Sequence, residues 1–259
     1  MTSNLKIFYA LLRKKWRIER PQLFDNIVNI LIWVGCTILV GGYLLQAQGV
    51  SKAFGAFQLA GACASVGIFG MWPYASDLLN DIENSNVAGY HLMLPCSAWI
   101  VFATDIVIFA MRAIIQTIAI VPLGKLLLWN NFALTDISFI PLVLVVVIAN
   151  LFSGIFAFWA TSVVKRSESL SQIWSRFLFP AWFLGGFQFT FATVCGLSPW
   201  LGCVMAINPV TYIMEGTRGA LLGIPSINPW LCMGALILLG AILFWDAMRR
   251  LRKQLDFVS

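Results

Sequence analysis

Long apolar runs alternate with short charged ones along this chain. Asn26–Ser51 and Ala53–Ser76 hold no charged residue at all. Each exceeds the roughly 20 residues that take a helix across a hydrocarbon core of about 30 Å. The same pattern predicts six transmembrane helices, at 27–46, 54–76, 98–122, 138–163, 172–195 and 228–247. Ahead of the first, Leu5, Phe8, Tyr9, Leu12 and Trp16 recur at steps of three and four, with Lys and Arg between them. That spacing predicts an amphipathic interfacial helix over 1–22, lying in the headgroup plane.

One stretch breaks the pattern. Phe177–Met214 has no charge but is interrupted by Pro180, Pro199 and Pro209. It is too long for one span and too short for two with a loop. Asn208 is a good N-cap, Pro209 suits the first helical position, and Gly223 before Pro225 is a stop signal. The helix so bounded, Pro209–Leu222, measures roughly 21 Å at 1.5 Å per residue, which does not cross a bilayer. The chain therefore predicts a re-entrant helical hairpin over 197–224, its first arm near Pro199–Ala206. Gly216, Gly219 and Gly223 give its second arm a small-residue face for close packing. Glu215 and Arg218, three residues apart, can pair and are expected as polar groups at the water-facing mouth of a gate.

Composition agrees with a membrane protein: 60% of residues are hydrophobic and 11% charged, whereas a soluble domain carries about 25% charged residues. Charge then sets the sides. With both termini in the cytoplasm, the inside holds most of the 17 Lys and Arg, in three blocks at 6–20, 165–176 and 249–253. Lys52, Lys125 and Arg218 fall outside, as the positive-inside rule expects of a minority. Trp72, Trp99, Trp129, Trp174, Trp200, Trp230 and Trp245 lie near predicted span ends, where indole rings prefer the headgroup region. Trp33, Trp159 and Trp182 sit deeper, as helix contacts or along a substrate path. The basic N-terminal segment has no h-region or cleavage site, so no secretory signal is expected. No nucleic-acid partner is expected.

Several chemistries are disfavoured. There is no G-x-x-x-x-G-K-[ST] phosphate loop, no H-E-x-x-H and no G-x-S-x-G, and His91 is the chain's single histidine. No enzyme activity and no cofactor or metal bound by this chain are expected. The six cysteines form no C-x-x-C pair; Cys195 and Cys203 share the outer side, which leaves a disulfide open. Asp105 and Arg112 both fall in the third span. They share a helix face about 10 Å apart, so either they face a protein-lined, pathway-facing cavity or the span begins late, near Ile106. Between the second and third spans, residues 77–97 carry Asp77, Asp81 and Glu83 but no Lys or Arg, a candidate docking surface for a cytosolic partner.

The stretch "NPVTYIMEGTRGALLG" closely resembles the C-terminal signature of the ABC-2 membrane family, the permease subunits of ATP-binding-cassette exporters. The matching positions are Asn208, Pro209, Tyr212, Arg218 and Gly223. "LMLPCS" at 92–97 and "FPAWFLGGFQF" at 179–189 are similar to weaker family motifs, as is the basic N-terminal helix. The resemblance covers essentially the whole chain in order and implies an all-α integral membrane fold. It implies two copies of this chain forming the pathway in a bacterial inner membrane, driven by two separate ATPase subunits that bind ATP and Mg. The loop 77–97 would seat a coupling helix on the ATPase, with Leu94 and Pro95 in its motif. Many members carry a charged residue just before that motif, where this chain has Gly89-Tyr90-His91; Asp81 or Glu83 would then substitute, beside His91. The re-entrant helices would form the outer gate, with Asn208, Pro209, Tyr212, Glu215, Arg218 and Gly223. The spacing is nearer to drug and lipo-oligosaccharide exporters than to capsule or O-antigen permeases. The substrate so implied is an amphiphile (drug, lipid or lipo-oligosaccharide), with polysaccharide export or a non-transporting assembly role as the alternatives.

Overall fold

The computed structural model describes residues 2–80, 98–129, 131–164 and 167–256. Among the described residues every regular element is helical. α1 (Thr2–Leu39) continues through a π-helical turn, Val40–Leu44, to Ala47. α2 is Phe54–Asn80, α3 Ala98–Leu127 and α4 Phe139–Val163. α5 is a broken run of Ser167–Ile173, a π turn Trp174–Leu178, Phe179–Trp182 and a second π turn Phe183–Phe187. Three short helices follow, α6 (Phe191–Leu197), α7 (Pro199–Ile207) and α8 (Pro209–Leu222), and α9 (Pro229–Asp256) closes the chain. Five helices are long and apolar enough to cross a membrane, and six if the bent α5–α6 pair is one span. The chain is an all-α, multi-pass membrane protein.

Two expectations are refined. The amphipathic segment over 1–22 is helical and runs on into the first span: α1 passes through Pro21 without a break. One face of this basic segment lies along α3, where two ion pairs hold it, while Leu5 and Tyr9 are exposed. The predicted fifth span, 172–195, is bent: its helical run reaches Phe187 and α6 departs at 89°, the geometry of a broken span or a re-entrant loop. Gly186 causes the turn, with φ 98° and ψ 26° inside an otherwise helical run, a conformation open chiefly to glycine.

α2 forms the axis of the bundle and packs against α1, α3, α4 and α8. One core gathers Ile68 and Met71 of α2 with Phe152, Trp182, Phe187 and Met214. A second joins Ile38, Leu59, Ile120 and Leu128 across α1, α2 and α3. Phe102, Phe158 and Ala247 seal α3, α4 and α9 together. Facing outward, Ile32, Ile140, Leu231 and Leu238 are exposed, as suits helices whose solvent is lipid rather than water. The deep tryptophans make helix contacts: Trp33 and Trp182 pack on Phe69 and Phe187, and Trp159 Nε1 donates to Asp246.

Candidate functional site

The two ends of the bundle are built differently. At one, α6, α7 and α8 fold back onto the break in α5; this is the hairpin end. The other receives the basic half of α1.

At the hairpin end the caps predicted from sequence are in place. Asn208 Oδ1 accepts the Val210 N–H at 3.0 Å, Pro209 starts α8, and Gly223 ends it at φ 67°. The Asn208 Nδ2 donates to the Ala181 carbonyl at 2.6 Å. The turn between α7 and α8 is thereby pinned to α5 just ahead of its second π turn, where a regular helix would consume that carbonyl itself. Tyr212 Oη donates back to the Ala206 carbonyl at 2.6 Å and closes the α7–α8 angle. Close packing of the α8 glycines is also seen. A Cβ on Gly219 would fall 2.9 Å from Pro225 Cβ, and one on Gly216 3.2 Å from Cys232 Cβ.

Glu215 and Arg218 are not at a water-facing mouth. Their exposures are 0% and 1%, and they pair at 2.7 Å. Glu215 Oε1 also accepts the Phe191 N–H at 2.9 Å, satisfying a free donor at the start of α6, and Oε2 accepts the Ser226 N–H at 3.3 Å. Arg218 Nη2 donates to the Gly186 carbonyl at 2.7 Å, and the guanidinium lies 3.9 Å from the centre of the Phe57 ring. One side-chain pair thus ties together α8, the α5 break, the start of α6, the loop before α9, and α2. The correction has a physical reason: a buried ion pair persists only where further hydrogen bonds occupy its remaining sites, and the non-helical backbone around it supplies them. Arg218 Nε is buried without a hydrogen-bond partner, as is Gln58 Oε1. Gln58, buried in α2, donates to Gln188 at 2.7 Å and holds the far side of the break.

Gly186, Phe191, Phe57 and Ser226 are residues that sequence reasoning did not bring to this pair. A signal existed for the first two: Gly185-Gly186 followed by Thr190, whose hydroxyl caps α6 by accepting the Thr193 N–H at 3.1 Å. Phe57 had none, because only the fold brings α2 under Arg218. Cys195 and Cys203 are free thiols.

At the opposite end, Asp105 and Arg112 share a face of α3, but each has found its own partner on α1. Lys15 pairs with Asp105, and Glu19 pairs with Arg112 at 3.1 Å. All four line one cavity of about 100 Å³, together with Tyr74 of α2. The two pairs alternate in sign along α1, so they set its register on α3. We expect the Lys15→Glu and Asp105→Lys single reversals each to lower stability by about 1 kcal/mol, because each places like charges in contact. The double reversal should recover most of that loss in a double-mutant cycle of detergent unfolding; strictly additive losses would show that the pair does not interact. The predicted coupling residues Asp81, Glu83, His91, Leu94 and Pro95 lie outside the described residues.

A comparison with curated proteins finds no match. The family model for ABC-2 type transporters matches residues 7–222, which takes in the α1–α3 ladder, the α5 break and all of α8. The chain belongs to that family, and is a membrane permease subunit of an ABC transporter.

Proposed function

We propose that the chain is the membrane subunit of an ATP-driven exporter, working as a pair of copies with two ATPase chains to move an amphiphile out of the inner membrane. The observation that carries this reading is the contrast between the ends. One end is closed by non-spanning helices hung on a single buried ion pair, the construction of a gate with a few discrete contacts to break. The other fastens α1 to α3, whose first turn follows the loop 77–97 that would meet the ATPase. Force applied to that loop would reach both helices together. The deep aromatic side chains favour an amphiphile over a glycan. Trp182 and Phe187 pack at 4.3 Å, and Phe69 and Trp182 at 5.0 Å, so these rings are spent on one another rather than left to line a channel.

The test is co-expression with the candidate ATPase. The complex should co-purify, and alanine at Asp81, Glu83, His91, Leu94 and Pro95 together should cut amphiphile-stimulated ATP hydrolysis at least tenfold. Unchanged stimulation would refute coupling through this loop, and no associated ATPase would refute the whole reading.

A further inference from the structure

The hairpin end also contains a cavity of about 350 Å³ that borders two of these contact residues, Phe57 and Arg218. Its floor is buried: Ala56, Phe132 and Arg218. Its walls are Phe54 and Phe57, whose rings stack 5.6 Å apart and 12° from parallel. At the rim stand Ser51 and Asn131, exposed, and the half-buried Thr190. Lys52, also exposed, lies between the two rim positions Ser51 and Ala53. The site is thus mostly apolar inside, with the ion-paired Arg218 in its floor, and hydrogen-bonding at the mouth.

That order of chemistry, at the end of a membrane bundle, fits one class of molecule. An apolar pocket holds apolar ligands in preference to water, and about 350 Å³ lies at the lower end of the range for small-molecule sites. It admits a tail or a single ring system but not a whole lipo-oligosaccharide. We propose that this cavity binds the tail of an amphiphile between Phe54, Phe57 and Phe132, leaving its polar head at Ser51, Asn131 and Thr190. An occupant there rests against Phe57 and Arg218, and so against the contacts that close the hairpin end. The same chemistry has two sources, a resident lipid of the adjoining leaflet or the transported amphiphile. The binding site itself does not depend on the export reading.

The experiment uses the full-length permease in phosphatidylcholine nanodiscs and lysophosphatidylcholine spin-labelled in its tail. An immobilised population is expected in the electron paramagnetic resonance spectrum of the unaltered protein. Ala133→Trp and Ala53→Trp, both at exposed lining positions, should each reduce it at least fivefold while the helical circular dichroism is unchanged; Ala133→Ser should retain it. No immobilised population, or the same one in all four proteins, overturns the proposal. With the ATPase partner and ATP added, loss of the immobilised signal identifies the ligand as cargo, and its persistence identifies a resident lipid. Either outcome supports the site, and only the first bears on export.

Discussion

Arg218→Ala is expected to destabilise the protein by about 3–5 kcal/mol, the cost of leaving a buried carboxylate without its partner. Glu215 has 0% exposure, so its carboxylate is desolvated and depends on the guanidinium. The same substitution frees the Gly186 carbonyl and uncovers the Phe57 ring, both of which Arg218 now contacts. Arg218→Lys should recover only part of the loss. An ammonium can keep the charge beside Glu215, but it lacks the planar fork that reaches Glu215 and Gly186 simultaneously. The informative variant is the double replacement Glu215→Leu with Arg218→Met. Removing both charges from a buried site is often neutral or stabilising, so thermal stability in detergent should return towards that of the unaltered protein. Transport should not return, because the links to Phe191, Ser226 and Gly186 are gone. If Arg218→Ala unfolds no more readily than a surface substitution, the pair is not the strut described above.

This pair shows how far the sequence could be read. Its existence was legible: Glu215 and Arg218 are three residues apart on a helix whose two caps are written in Asn208-Pro209 and Gly223. Its surroundings were not. Four of its contacts come from Phe57, Gly186, Phe191 and Ser226, which no local pattern places near residue 215. A charged pair on a short helix looks the same in sequence whether it faces water or the protein interior, and burial is decided by those distant contacts.

The spans follow the same division. Runs long enough to cross a bilayer identified α2, α3, α4 and α9 with little change, because a hydrocarbon solvent imposes a minimum length. The bend in the fifth span was not legible because hydropathy does not register backbone direction. Phe191–Cys195 is as apolar as the helix before it, and only the Gly185-Gly186 pair marks where the chain turns. At the N-terminus the amphipathic pattern marked the helix but not its protein partner. A basic, amphipathic helix that can lie on lipid headgroups can also, as here, pack one face along another helix that offers Asp105 and Arg112. The sequence placed those two charges on one face of α3, and the packing of α1 beside it explains why they are there.

Gly186→Val is the second substitution with a large expected effect, and it separates backbone conformation from crowding. A Cβ at Gly186 would meet Met205 Cε at 3.5 Å and Glu215 Oε1 at 3.9 Å, ordinary contact distances. Space is therefore not the obstacle. The obstacle is φ 98°, where a β-branched residue is a genuine outlier and the strain is of the order of 1–3 kcal/mol. Losses should follow conformational tolerance rather than size, with Gly186→Asn mildest, Gly186→Ala intermediate and Gly186→Val most severe, since Asn visits positive φ more readily than either. The neighbour behaves differently. A Cβ at Gly185 would fall 2.5 Å from Val210 Cγ1 and 2.8 Å from Val210 Cβ, so Gly185→Ala is a steric defect that Val210→Ala should relieve in part and Val210→Gly further, whereas no trimming of neighbours should rescue Gly186→Val. Straightening α5 would also draw the Gly186 carbonyl away from Arg218, so transport by Gly186→Val should fall further than its stability does. Equal losses for Asn and Val at this position, measured by thermal unfolding, would show that the bend does not depend on the glycine.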